Sequence, residues 1–480
     1  MDTQVESEIL AIVGRRGLLR DRSARMAYES DGLTLERQVP ELVVLPRSTA
    51  EVQAVMRVLQ RHGIPLVPRG AGTGLSGGAT PVPGGVVVGL ARMRDILEVN
   101  VEDRFARVQA GLVNIELTRS CAAHGLFYAP DPSSQMACTI GGNVAENSGG
   151  PHCFRYGSTT RHILGLVIVT PEGELLDLSH PSVDPGGYDL AGLFVGSEGM
   201  FGIATEVTVR LTPVPPVIET LLAIFPSLDS ACDSVTDIIA AQLEPSAIEI
   251  LDRLTIEAVE ASVFAAGYPQ GAEAVLLLEI EGSAIEVEET TRGILPILEQ
   301  HGQIELRRAR DVKERAALWA GRKGAFGAMG RVAPDLYVAD VVVPRTRLRE
   351  IVNLATRICA ELGLKMSNVF HAGDGNLHPN ISYDRRNADE VTRVLQAGRR
   401  IMSACIEAGG SLTGEHGVGL EKRAEMALLF TDDDLATMER ARAALDPERR
   451  MNPGKLLPIR GCREIRTPAP VALPTDGTPS

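Results

Sequence analysis

The sequence predicts an α+β protein built in two parts, and three observations lead there. Short β-rich runs alternate with amphipathic helical stretches along most of the chain. Three glycine-rich stretches fall in the first half, and the proline-dense run PVPP at 213–216 separates that half from the rest. The expected division is a first domain at 5–214 with its core at 38–214, a second domain at 215–458, and a Pro-, Thr- and Ala-rich tail at 459–480. Such a tail cannot bury enough apolar surface to order itself.

Taken in order, residues 1–36 read as a helical lead-in, and ELVVLP at 41–46 as a short strand. Ser48 and Glu51 have the spacing of a capping box. Behind them Val52, Val55, Met56 and Leu59 recur at helical spacing, and Gly63 supplies a stop. With a second strand at 64–67 this makes a strand–helix–strand unit. Further strands are expected at 86–90, 105–109, 164–169 and 203–211, with a helix at 114–124 ending on Gly125. Beyond the linker, β-rich runs at 217–225, 245–250, 273–281 and 303–307 alternate with helices, which implies sheet and helices in separate layers. From about 387 the pattern is mostly helical.

Composition narrows the function. The formal net charge is −14 and aromatics make up only 4% of residues, so neither a phosphate-backbone footprint nor a base-stacking surface is expected. The seven cysteines form no CxxC pair, which offers no zinc knuckle or iron–sulfur ligand set and suits a reducing compartment. The N-terminus, MDTQVESEIL, lacks the basic-then-apolar order of a signal peptide, and no apolar run approaches the roughly 20 residues of a membrane span. A cytoplasmic protein is expected, free to dock at the inner face of a membrane through a partner.

The first chemistry lies at 68–78, PRGAGTGLSGG, with five glycines between 70 and 78. Backbone this bare can turn its N–H groups inward around a phosphate. A dinucleotide fingerprint must open a helix, but ATPVPGG follows at 79–85 and its prolines forbid one, so a NAD-dependent enzyme is disfavoured. The loop should hold a diphosphate through its own amides. A second block, PDPSS at 130–134 and TIGGNVAENSGG at 139–150, and a third, GSEGMFGI at 196–203, suit close wrapping of a large cofactor.

Together these motifs resemble the flavin domain of the vanillyl-alcohol-oxidase type. Within it the sequence is similar to the FAD-linked oxidases that include the catalytic flavin subunit of bacterial glycolate oxidase and the D-lactate and D-2-hydroxyglutarate dehydrogenases. The resemblance runs from about 5 to 458. It implies that Arg69, Gly70, Gly72, Thr73, Gly74, Gly77 and Gly78 cradle the pyrophosphate of FAD. It further implies that Pro130, Asp131, Ser133, Gly142, Asn143, Asn147 and Ser148 line the cofactor, with Glu198, Gly202 and Ile203 on its other flank. Some relatives attach FAD through a histidine in the first loop; this loop has none, so a non-covalent flavin is expected.

The second domain carries NVFHAGDGNLHPNI at 368–381, read as two strands around a Gly-Asp-Gly-Asn turn that brings His371 and His378 together. TGEHGVG at 413–419 adds Glu415 and His416. Two histidines and a carboxylate make an open site for a divalent ion such as zinc or manganese, and His416 beside it can serve as general base. The resemblance assigns the metal to His371, His378 and Glu415, proton transfer to His416, and substrate contacts to Asn380 and Arg322, the latter pairing with the carboxylate. It also implies oxidation of a small 2-hydroxy acid, glycolate or D-lactate, to the 2-oxo acid by hydride transfer to flavin N5. Electrons would pass to an external acceptor, including a partner subunit with iron–sulfur clusters; a homodimer is left open. Hydroxyglutarate relatives carry a lysine where this chain has Tyr337 in YVAD, which favours a monocarboxylate. D-2-hydroxyglutarate dehydrogenase and a non-catalytic flavin subunit remain the alternatives. NPGK at 452–455 resembles a terminal family signature, read as a flavin contact or a simple turn.

Overall fold

The computed structural model describes residues 1–179 and 186–458. The expected tail at 459–480 lies outside them. The lead-in is helical only in part. The helix Thr3–Val13 buries Val5, Ile9 and Val13, then stops at Gly14, whose φ of +68° a side chain would resist. A two-residue strand, Leu18–Leu19, and a short helix, Arg22–Met26, follow.

The strand–helix–strand unit is present as Leu42–Val44, Thr49–Arg61 and Leu66–Arg69. Ser48 Oγ accepts the Glu51 N–H at 3.2 Å, but the Glu51 carboxylate accepts from the Arg47 N–H, so the cap is one-sided. The two strands are parallel yet not neighbours, because Val86–Gly89 sits between them. These Val- and Leu-rich strands are buried almost throughout, as a covered parallel sheet requires. A second, antiparallel sheet runs Ile96–Asn100, Phe105–Gln109, Ile203–Arg210, Ile163–Val169, Leu175–Leu178. Its two edge strands escape sequence reading because they are half exposed and carry polar residues among the apolar ones.

The second domain is a large antiparallel sheet with helices on both faces. The strand Ala274–Gly282 is buried along its whole length and feeds two cores in alternation. Ala274, Leu276, Leu278 and Ile280 pack towards the helices Leu228–Ala240, Ala284–Gln300 and Leu348–Glu361. Val275 and Leu277 pack towards Arg253–Glu260 and Val312–Ala328. The chain then returns: Met451 bridges to Leu66, and the Asn452 N–H donates to the Leu66 carbonyl at 2.8 Å. The end of the second domain is therefore clamped onto the first. No helix among the described residues is long and apolar enough to cross a membrane.

A part-buried row of charges joins the domains. His152 Nδ1 lies 2.9 Å from Asp131 Oδ2, and its Nε2 lies 3.1 Å from Glu279 Oε1 on the buried strand. Arg315 grips both Glu279 oxygens at 2.9 Å. Burial opposes charge on His152, but Asp131 and Glu279 outweigh it and hold the imidazolium up to about pH 10. The folded value exceeds the unfolded one of about 6.5, so this stabilisation is complete below about pH 6.5 and fades as pH rises towards 10. The melting temperature of His152→Gln should therefore fall less over that interval than the wild-type value does. Equal slopes in a differential scanning calorimetry series would show that the row does not titrate with His152.

Candidate active site

A cavity of about 540 Å³ opens between the domains and takes its wall from both. Its first-domain side is nearly bare backbone. A Cβ on Gly70 would stand 2.5 Å from Thr139 Oγ1 and 3.3 Å from Gly142 Cα, so the first and second glycine blocks meet only because neither carries a side chain. No helix forms across 70–85, as the prolines require. All the expected flavin-binding residues line this cavity except Gly77, Pro130, Asp131 and Asn147. Those four support the wall from behind. Gly77 backs onto Leu420, the Pro130 carbonyl accepts from Asn114, Asp131 pairs with His152, and Asn147 closes the helix Ile140–Glu146 in the left-handed region at φ +50°.

Arg69 lines the cavity and also has a structural part. Its guanidinium donates to the carbonyls of Ser30 and Ala79 and stacks over Tyr28, so it holds the loop's shape from inside. A side chain on Gly72 would strike that guanidinium. The cavity fits a dinucleotide-sized flavin: its wall has room for close backbone approach, and the buried Asn143 Nδ2 has no protein partner. Burial, and then Glu198 nearby, pushes the carboxyl of Glu146 well up.

NPGK is a structural clamp. Asn452 Nδ2 donates to the carbonyls of Gly78 and Glu198, while Lys455 Nζ donates to those of Gly78 and Thr80. Burial pulls the Lys455 ammonium down to about pH 7.

At the far end of the cavity Glu415 and His416 enter the wall. The hairpin does bring its histidines together: the rings of His371 and His378 are 5.2 Å apart, and His378 stacks on His416 at 4.9 Å. Three Nε2 atoms converge on one oxygen. Glu415 Oε1 lies 3.2 Å from His371, 3.2 Å from His378 and 3.6 Å from His416. His371 Nδ1 lies 2.7 Å from Glu249 Oε1, and Arg322 Nε donates to the other Glu249 oxygen at 2.5 Å. Burial opposes a charged His371, yet Glu249 and Glu415 lift it to about 10; burial takes His378 down to about 4.

Several buried polar atoms here have no partner: both ring nitrogens of His378 lack hydrogen-bond geometry, as do Arg322 Nη1, Asn376 Oδ1 and Asn380 Oδ1. Neither Arg322 nor Asn380 lines the cavity itself. Arg322 is fully buried behind His371, and Asn380 Nδ2 donates to the His378 carbonyl. Sequence reasoning missed Glu249 and Asp340. The Asp340 carboxylate accepts from the amides of Gly414, Glu415 and His416, from Thr413 Oγ1 and from Lys422 Nζ. The YVAD run was read only for the lysine it lacks; a lone acid after a strand carries no signal for that role.

A bare-backbone cradle beside a histidine–carboxylate cluster defines a flavin-dependent oxidoreductase. Residues 40–179 match the family described as FAD binding domain, and residues 214–456 match FAD linked oxidases, C-terminal domain. The chain belongs to the FAD-linked oxidase family. It is 46% identical, over 91% of its length and 88% of the relative, to glycolate oxidase subunit GlcD of Escherichia coli strain K12. Identity is 37% to GlcD of Bacillus subtilis strain 168, covering 94% of this chain and 96% of that one. A probable mitochondrial D-lactate dehydrogenase of Danio rerio is 31% identical over 95% of this chain and 92% of its own. In fold the chain is similar to p-cresol methylhydroxylase with substrate bound, at 17% identity and a TM-score of 0.80 over 95% of this chain and 96% of that one.

Removing the Asn452 amide leaves the buried Glu198 carbonyl unpaired, at about 1–3 kcal/mol, and strips the Gly78 carbonyl of one of its two donors. Asn452→Ala should weaken FAD binding roughly tenfold or more. A flavin fluorescence titration of apoprotein checks this, and wild-type affinity would mean the clamp does not shape the cradle.

Proposed function

We propose that this enzyme oxidises a small 2-hydroxy acid, glycolate or D-lactate, to the 2-oxo acid with non-covalent FAD, and passes the electrons to an external acceptor. The observation that carries the chemistry is the convergence of His371, His378 and His416 on one Glu415 oxygen at the end of the flavin cavity. Names of relatives support the substrate class, and the higher identity to glycolate oxidase subunits than to the D-lactate dehydrogenase favours glycolate. Tyr337, buried where hydroxyglutarate relatives carry a lysine, supports a monocarboxylate. The relatives are named as subunits, which supports a partner as electron acceptor, one with iron–sulfur clusters among the candidates.

Bound FAD supplies the two-electron acceptor, which no side chain provides. His371, His378 and Glu415 would hold a divalent ion, zinc or manganese, whose charge polarises the hydroxyl and carboxylate oxygens of the acid. The unpartnered His378 nitrogens fit that donor set. His416 Nε2 takes the hydroxyl proton; its stacking on His378 fixes the ring plane, and Asp340 bonded to its own amide fixes its backbone. Arg322 Nη1 and Asn380 Oδ1, buried without partners behind the cavity wall, are the groups we assign to the substrate's carboxylate and hydroxyl. Glu249 orients His371 through Nδ1, as a carboxylate behind a metal-binding histidine does.

The test is an anaerobic visible spectrum of FAD-loaded protein on addition of glycolate, D-lactate or D-2-hydroxyglutarate. Flavin bands should bleach fastest with a monocarboxylate. His416→Ala should keep its FAD and lose about 10²–10⁴-fold in bleaching rate. His371→Ala and Glu415→Gln should each lose bound metal by atomic emission. A His416→Ala protein that bleaches at full rate would remove His416 from the mechanism, and fastest bleaching with D-2-hydroxyglutarate would turn the substrate reading to a dicarboxylate.

A further inference from the structure

The charged row that joins the domains ends at the flavin cavity. Lys323 Nζ donates to Asp131 Oδ2 at 3.0 Å, and beyond Asp131 stand His152, Glu279 and Arg315, each in contact with the next. Signs alternate along it, cation first and cation last, so the row carries one more positive than negative charge when His152 is protonated. Glu279 is pinned further by Trp319 Nε1 and Thr220 Oγ1. Of these residues Lys323 is the one that lines the cavity.

Its place within the cavity follows from the helix Val312–Ala328. Lys323 and Phe326 are three apart and so share a face. Both line the cavity, and the Phe326 ring meets the His378 ring edge-on at 6.1 Å. His378 stacks on His416, so Lys323 stands at the reacting end, where the flavin ring must lie to be reduced. Arg69, the other lysine or arginine in the described cavity wall, is at the glycine loop with its guanidinium on backbone carbonyls.

We propose that Lys323 sets the reduction potential of the bound FAD, with Asp131, His152, Glu279 and Arg315 fixing the position and net sign of the charge it presents. In the reaction the substrate Cα–H bond breaks and the hydride, two electrons and one proton, goes to the ring; the hydroxyl proton goes to His416. The ring thereby gains one negative charge. A fixed cation facing it stabilises the reduced form more than the oxidised form and raises the potential. Asp131 tempers that cation, so the two residues act with opposite sign. The row spans both domains, which makes the potential a property of the closed, two-domain structure. From the function proposed above this takes only bound FAD, neither the acid nor the metal.

The test is an equilibrium redox titration of the FAD holoprotein against an indicator dye, with dithionite as reductant and no hydroxy acid. Lys323→Gln should shift the ratio of reduced to oxidised FAD at least tenfold towards oxidised at a fixed potential, about 30 mV lower for a two-electron couple. Lys323→Arg should stay within threefold of wild type. Asp131→Asn should shift the ratio the other way. Sulfite, which adds an anion to the oxidised ring, should bind at least tenfold more weakly to Lys323→Gln. A Lys323→Gln holoprotein with unchanged potential and sulfite affinity overturns the proposal, as does a shift of Asp131→Asn in the same direction as Lys323→Gln. Should Lys323→Gln fail to retain FAD, Asp131→Asn decides: an unchanged or lowered potential overturns it.

Discussion

The histidine–glutamate cluster at the cavity hangs on one loop, 413–419, stretched between two buried carboxylates. Asp340, from the second domain, accepts the successive amides of Gly414, Glu415 and His416. Glu198, from the first, accepts those of Val418 at 2.7 Å and Gly419 at 2.8 Å. Charge-assisted bonds from amides to buried carboxylates are short and strong, and breaking one leaves a charge in a medium that cannot solvate it. Glu415 and His416 are thus fixed through their backbones before any side-chain contact is considered. The Asp340 anchor is balanced. Lys422 pairs with Asp340, and Lys422 and His416 hold its carboxyl well below the usual range against a large burial cost. Glu198 holds its grip from a left-handed backbone at φ +50°, a conformation an ordinary residue keeps only when its surroundings enforce it.

The glycine blocks were legible in the sequence because their role is local. A loop with no side chains that is followed by prolines can do little except expose amides, and it does so. The histidine hairpin was legible for the same reason: the turn is short, the register sets His371 opposite Asn376, and His378 two residues on comes within ring contact. Asp340, Glu249 and Glu279 were not legible. Each is an acid on or beside an apolar strand, and its meaning lies in partners more than thirty residues away. The half-exposed edge strands and the broken lead-in escaped because apolar periodicity fades where only one face is covered.

The arginines show a further limit. Sequence flags a cation but not the oxygen it faces. Arg69 opens a phosphate-type loop, yet its Nη1 donates to the carbonyl of Ser30, in the lead-in, and to that of Ala79, just past the loop, and so ties the two segments together. Arg322 lies among residues that meet the histidine cluster, but it first neutralises Glu249, without which that acid would be an unpaired buried charge. In each case a positive charge expected to meet a ligand also meets a structural need, and Nη1 of Arg322 is left buried without a partner.

The two domains thereby divide the chemistry by kind of group. The first offers backbone: amides and small residues that can approach a large cofactor closely because nothing projects from them. The second offers side chains on strands, on a helix and on the loop 413–419, whose backbone is anchored at both ends. Flavin chemistry needs both, since the cofactor must be wrapped while the acid and base are held to fractions of an ångström. Side chains of the second domain can serve a cofactor held by the first only if the interface is as rigid as either core. The contacts that cross it meet that demand: Glu198 to the loop at 418–419, Asn452 and Lys455 to the glycine cradle, and His152 between Asp131 and Glu279. All are buried or half-buried and polar, so each is directional, and a small displacement of one domain on the other would break several at once. An apolar interface of similar area would tolerate sliding. This one permits a single arrangement, and that arrangement brings Lys323, Glu415 and His416 to the same cavity.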